Sequence, residues 1–249
     1  MDLSPSLIVT IASVFLLAGF VKGVIGLGLP TISVGLLSLV MSPAQAAVLL
    51  IIPSTITNIQ QMRPASQLLP LCRRLWPMMA GIIAGTWAGG GLINSANAKL
   101  VAAALGAALV VYGSLGLAQV QFRVALRHET WASPLIGAIT GAITAATGVF
   151  VIPAVPYLQA VGFEKDELVQ ALGLSFFVST LALAATLGSI GLSEGALGWA
   201  AIGTLIPALA GQAMGQTVRY RIEAATFKRW FFSGLIALGF VLVTKPFFA

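Results

Sequence analysis

Apolar runs of about twenty residues recur along the whole chain, separated by short stretches of Pro, Gly, Ser and charge. Runs of that length match the hydrocarbon thickness of a bilayer, and their punctuation lacks the strict alternation of a barrel strand. The pattern predicts helical segments near 7–26, 30–41, 44–62, 74–92, 97–119, 131–146, 149–161, 168–187, 194–217 and 227–245. The expected fold class is an all-α polytopic membrane protein.

Two stretches break the rhythm. Residues 7–41 and 131–161 are too long for one crossing, yet each is interrupted so that at least one piece is too short for a second. The first interruption lies in GFVKGVIGLGLP, Gly19 to Pro30, and its weaker echo is GAITGAITAATG, Gly137 to Gly148. Backbone groups freed by a broken helix find no partner in lipid, so both breaks are expected within protein or against an aqueous cavity. Gly23, Pro30, Gly141 and Pro153 are the expected break or gating residues.

Charge changes the picture from a set of segments to a topology. Charged residues make up only 8% of the 249 residues, apolar ones 58%, and mean hydropathy is +1.00. The net charge of +6 sits as singles and pairs between apolar runs, without the continuous patch that nucleic acid requires. Placing the connections with Arg63, Arg73 and Arg74, with Arg123 and Arg127, and with Arg219, Arg221, Lys228 and Arg229 on the cytoplasmic side makes each broken stretch a hairpin that enters and returns on one side. Each half is then a broken hairpin followed by three crossings. The expectation is an N-terminal repeat at 1–122 and an inverted C-terminal repeat at 123–249, within one membrane domain and with both termini outside the cytoplasm. The opening run lacks a preceding basic residue and reads as the first membrane segment, not a cleaved leader.

The repeat is also visible in letters. Pro77 to Gly85 reads PMMAGIIAG and Pro207 to Gly215 reads PALAGQAMG, a shift of 130, while Gly19 and Gly23 correspond to Gly137 and Gly141 at a shift of 118. Small residues four apart allow membrane helices to approach closely, so Gly81, Gly85, Gly211 and Gly215 read as scaffold.

Candidate chemistry is sparse. Lys22 is the one basic residue well inside an expected membrane segment, and all seven acids, Asp2, Glu129, Glu164, Asp166, Glu167, Glu194 and Glu223, fall at segment ends or connections. An ammonium there must snorkel, find backbone carbonyls, lose its proton or meet an anion. Lys22, Gly26, Gly28, Asn58, Thr144, Thr147, Gly148 and Ser175 form the expected substrate-binding set, with the glycines opening the backbone and the hydroxyls and amide supplying neutral hydrogen bonds. Gln170, Gln212 and Gln216 are candidates for the pathway. No buried carboxylate relay is visible, so any coupled proton travels with a weak-acid substrate or acts through Lys22. Cys72 forms no intrachain disulfide, His128 stands alone in a connection, and no phosphate loop, HExxH or CxxC occurs. Neither an enzyme site, a metal nor a cofactor is expected.

These residues resemble the TauE/SafE family of membrane permeases, the sulfite exporter family, over nearly the full length. Gly19, Gly23, Gly26 and Gly28 resemble its first glycine-rich signature, with Pro30 departing from the usual adjacent glycines. Gly137, Gly141, Gly148 and Pro153 are similar to the second, where Thr144, Ala146 and Thr147 stand at positions often occupied by glycine. The paired Pro-x-x-Ala-Gly segments and Gln170-Ala171 match later parts of the pattern. The resemblance implies a secondary carrier in a bacterial cytoplasmic (inner) membrane, moving a small sulfur anion such as sulfite or sulfoacetate outward. An anion channel, or a permease for another small anion such as a carboxylate, fits the same donors. The expected partners are that anion and the lipid bilayer; proton coupling and homo-oligomer formation stay open, and nucleic acid is not expected.

Overall fold

The structure, a computed structural model, describes residues 4–90, 98–119, 123–189, 191, 196–221 and 223–248. Asp2, Glu194 and the ends of the expected segments at 91–92, 97 and 194–195 lie outside the described residues. The described elements are helices. Helix α1 (Pro5–Ile25) starts with Ser4, whose hydroxyl accepts from the Leu7 amide, and with Pro at its first position. It stops at Gly26, whose φ of +79° suits glycine, and Gly28 at φ +108° turns the chain into α2 (Leu29–Leu37). Ser42 and Gln45 then form a reciprocal capping box that opens α3 (Pro43–Gln61).

A single 3-10 turn at Ala65–Gln67 leads to α4 (Leu68–Ala88), followed by α5 (Ala98–Ala118) and α6 (Leu126–Thr147). Gly148, at φ +73°, ends α6 as Gly26 ends α1, and an extended stretch reaches the short α7 (Ala154–Ala160). The chain continues through α8 (Lys165–Ser189), α9 (Ala196–Gly203), α10 (Leu205–Val218) and α11 (Ala224–Phe248). Five described helical stretches are long and apolar enough to cross a membrane: Pro5–Ile25, Lys99–Ala118, Asp166–Ser189, Leu197–Val218 and Ala224–Lys245.

Two boundaries differ from the sequence expectation. Helix α4 begins at Leu68, so Arg73 and Arg74 lie inside it and not in a connection. Arg74 is held there by a two-pronged bond to Glu129 of α6, Nε to Oε2 at 3.0 Å and Nη2 to Oε1 at 2.6 Å, with the guanidinium 4.5 Å over the Phe163 ring. The expected segment 194–217 is divided at Thr204 between α9 and α10.

The division at Thr204 is matched in α3. Pro53 has no amide to give to Leu49, and the Leu49 carbonyl instead lies 3.0 Å from the Thr204 hydroxyl, which shares its one hydrogen between Leu49 and, at 2.7 Å, the Ala201 carbonyl. Pro53 therefore stays inside α3 because another helix satisfies the acceptor it abandons.

The tightest crossings are α1 with α10, α4 with α6 and α5 with α11. Glycine makes the first two. A Cβ at Gly19 would stand 2.1 Å from the Ala208 carbonyl oxygen and one at Gly23 2.3 Å from that of Gln212; Gly137 and Gly141 meet Met78 and Ile82 in the same way, at 2.2 Å each. From the other side Gly211 and Gly215 lie on Leu16 and Phe20, as Gly81 and Gly85 lie on Pro134 and Ala138. The sequence shifts of 118 and 130 relate these contacts residue for residue, so the repeat extends from letters to packing. Gly23 and Gly141 are consequently crossing residues inside α1 and α6, not the break residues expected; the breaks fall at Gly26 and Gly148, where φ is positive.

Candidate functional site

Helix α3, along which Ser54, Thr55, Asn58 and Gln61 form a polar stripe, lies in the middle of the molecule, packed on α8, α9 and α2. It meets both breaks. Near its start, Ala47 touches Gly148: a Cβ at that glycine would stand 3.1 Å from the Ala47 methyl carbon. Near its end, Thr57, Asn58 and Gln61 face the last turn of α1. The eleven steps from Ala47 to Asn58 extend about 16 Å along a helix, so the two breaks occupy different levels of α3 and do not converge on one point.

At the first break the side chains form a frame. Lys22, only 5% exposed, donates from Nζ to the Thr57 hydroxyl at 3.0 Å and to Asn58 Oδ1. One turn further along both helices, Gln61 Nε2 donates to the Gly26 carbonyl at 3.1 Å. Asn58 passes the chain inward through Nδ2 to Ser54 Oγ at 3.1 Å, and Ser54 meets Thr180 of α8 at 2.9 Å. Thr180 donates to the Phe176 carbonyl, so Ser54 is the donor between the two hydroxyls. Among the described residues no carboxylate pairs with Lys22; both of its acceptors are neutral. Lys22 is therefore buried and held, not snorkelling.

The amides of Leu27, Gly28 and Leu29 form no hydrogen bond among the described residues, and all three residues are buried. They add donor character to the positive end of α2. A Cβ at Gly26 would meet only the Gln61 amide, at 3.8 Å, which leaves open space on that side of the break. A Cβ at Gly28 would press on Val21 and Phe231, so that glycine serves an apolar contact. Pro30 sits in the first turn of α2, where a missing amide is no loss.

The second break is less polar. The Thr144 hydroxyl is spent on the Thr140 carbonyl at 2.7 Å; that of Thr147 donates to Ile143 at 2.7 Å and accepts from the Val149 amide at 3.2 Å. Gly148 packs on Ala47 and Val34, and Pro153 caps the start of α7. Thr144, Thr147 and Gly148 are thus a separate group from Lys22, Gly26 and Asn58. Ser175 and Ser179 are fully buried in α8 with hydroxyls that have no partner among the described residues. Gln170 donates to the Pro64 carbonyl at 3.1 Å. Gln212 is buried beneath Gly23 while Gln216, one turn on, is exposed.

Thr57, Gln61, Ser54 and Thr180 are the members of the frame absent from the expected binding set. Thr57 stands four residues after Pro53, whose carbonyl it also bonds at 2.7 Å, and that spacing was the available signal. Elsewhere, a groove of about 390 Å³ between α4 and α8 is lined by Ile83, Trp87, Gly90, Ala182, Ala185, Thr186 and Ser189, away from the frame. Among the described residues no three His, Cys, Asp or Glu side chains gather as metal ligands.

A multi-pass helical membrane protein with a buried cation beside a broken helix has features that recur among membrane transport proteins. The model of the sulfite exporter TauE/SafE family matches residues 11–242, and the chain belongs to that family. It is accordingly a membrane transporter of a family associated with sulfur-related anions, with a small substrate and the lipid bilayer as its partners. No curated protein and no solved structure matches the chain.

Proposed function

We propose that the chain is a secondary transporter that exports sulfite or a small organosulfonate such as sulfoacetate by alternating access. The observation that carries this reading is Lys22: a buried ammonium held only by the neutral Thr57 and Asn58, beside unpaired amides at a helix break. A cation so placed lacks a compensating charge, and a small anion supplies it. Asn58 adds a neutral donor, and the absence of a second fixed cation among the described residues of the frame keeps binding weak enough for release. Thr144, Thr147 and Gly148 belong to a second level about three turns along α3, which an anion would pass after leaving Lys22. Ser175 instead lies on α8 between Gly173, close to Asn58 and Gln61, and Thr180, bonded to Ser54, and so stands near the Lys22 frame.

The two halves, 1–122 and 123–249, would form inverted repeats whose crossings exchange partners, α1 of one half with α10 of the other and α6 with α4. The positive connections favour a bacterial cytoplasmic membrane orientation with both termini outside. Reporter tags on the two ends that respond to external reagents support this orientation; a cytoplasmic terminus refutes it.

The functional test is a flux panel in proteoliposomes with sulfite, sulfoacetate, sulfate and acetate under imposed anion and pH gradients. Saturable movement of sulfur anions that accelerates with trans substrate supports a carrier. Non-saturable flux points to a channel, and no flux under any gradient ends the transport reading.

A further inference from the structure

Gln61, like Asn58, has its amide orientation fixed by its partners, and the chemistry it offers is opposite to that expected of an anion site. A carbonyl can only accept, so the bond to Gly26 must come from Nε2, and this settles which end of the amide points where. Oε1 is left buried without a donor among the described residues. The same arrangement recurs on α8. Gln170 gives Nε2 to the Pro64 carbonyl and leaves its own Oε1 buried and without a donor among the described residues. Three residues further along α8 a Cβ at Gly173 would stand 3.1 Å from Gln61 Cβ, so the two helices are close there. Two acceptors, one on α3 and one on α8, therefore lack donors among the described residues. A buried acceptor without a donor is destabilising unless a ligand completes it.

We propose that this site takes a monoanionic oxyacid that still carries a proton or hydroxyl, with Gln61 Oε1 as the specificity residue that accepts its hydrogen bond. The proposal rests on the transporter reading above and narrows its substrate. Lys22 supplies one positive charge, and its surroundings as described do not titrate: its acceptors Thr57 and Asn58, Ser54 and Gln61 on the same helix as those acceptors, the backbone of α10 at Gln212 and Gln216 against Gly23, and Phe231 against Gly28. A monoanion brings the pocket to neutrality. A dianion leaves one uncompensated negative charge in a medium of low dielectric. A metal cation at the Gln61 and Gln170 oxygens would sit next to the Lys22 ammonium, whereas a substrate hydroxyl satisfies an oxygen without adding charge. A site with a buried acceptor rejects an analogue that cannot donate, because the acceptor then stays unpaired.

The test is calorimetric binding to the full chain in nanodiscs, using sulfite across pH, methanesulfonate and sulfate. Methanesulfonate keeps the single charge and, having no hydroxyl, cannot donate a hydrogen bond. Expected results are sulfite affinity that falls as bisulfite loses its proton, a preference for bisulfite over methanesulfonate of about tenfold, the value of one charge-assisted hydrogen bond, and weak sulfate binding. In Gln61→Leu the preference should vanish: both monoanions lose alike whatever the Gly26 bond gives the break, and bisulfite falls about tenfold further. A thermal unfolding transition followed by circular dichroism shows that the variant is folded. Tighter binding of the dianion, an equal fall for both monoanions in Gln61→Leu, or a sodium requirement that Gln61→Leu removes overturns the proposal. If the protein transports but binds none of the probes, the site assignment fails alone; if it neither binds nor transports, the transporter reading fails with it.

Discussion

Lys22 and Thr57 are 35 positions apart in sequence, and the ammonium of one donates to the hydroxyl of the other at 3.0 Å in the interior. That bond joins α1 to α3 just before α1 breaks. Replacing Lys22 with Met removes the cation and keeps the length. Anion binding by calorimetry should weaken at least about tenfold, the range expected for loss of a charge-assisted bond. The unfolding temperature should shift little, because the loss of two hydrogen bonds is offset by no longer burying a charge. Unchanged anion affinity would remove Lys22 from the site.

The glycine crossings make a paired prediction. Gly85 and Gly215 each lie so that a methyl group would stand 2.1 Å from a carbonyl oxygen, of Ala138 and Phe20 respectively. Alanine at either position must push two helices apart and should cost about 1–3 kcal/mol, as overpacking does. The two variants should lose similar amounts in chemical unfolding from micelles. A large loss in one and none in the other would show that the crossings are not mechanically equivalent.

Arg74 and Glu129 are the ion pair among the described residues, with side chains 34% and 13% exposed. Partial exposure limits its value, and Arg74→Leu should destabilise by about 1 kcal/mol. Arg74→Lys keeps the charge but loses the fork and the contact over Phe163, so it should recover less than about half of that amount. Full recovery by lysine would mean that charge alone matters.

Thr204 invites a double substitution. Thr204→Val leaves the Leu49 carbonyl buried without its partner and should cost about 1–3 kcal/mol in thermal unfolding. With Pro53→Ala in place, the amide of residue 53 reaches that carbonyl from within α3, and the same valine substitution should cost clearly less. Equal costs in both backgrounds would show that the Thr204 bond does not answer the proline.

Much of the fold is legible in the sequence because membrane helices announce themselves by length. Glycine announces its exceptions too: Gly26 and Gly148 sit at positive φ, where other residues are strained, and glycine in an apolar run marks both breaks. The repeat is legible because a close crossing tolerates only small side chains. The membership of the site is harder to read. Thr144 and Thr147 look as available in sequence as Thr57, yet their hydroxyls return to carbonyls of their own helix. Thr57 makes a similar return and still accepts from Lys22, since a hydroxyl has lone pairs left after it donates. Which hydroxyl keeps a second role depends on what packs opposite, and no local pattern encodes that. The start of α4 is hidden for a related reason: Arg74 has the look of a loop charge, and its partner Glu129 lies 55 positions away.

Pro53 lies between the part of α3 that meets Gly148 and the part that meets Lys22. An interior proline removes the strut that would stiffen a helix at that level. Helix α3 therefore lacks its own backbone bond at that level, and what ties the Leu49 carbonyl there comes from outside, from the hydroxyl of Thr204. The stretch beside Gly148 and the stretch beside Lys22 are thus joined through a neighbouring helix as well as through their own chain.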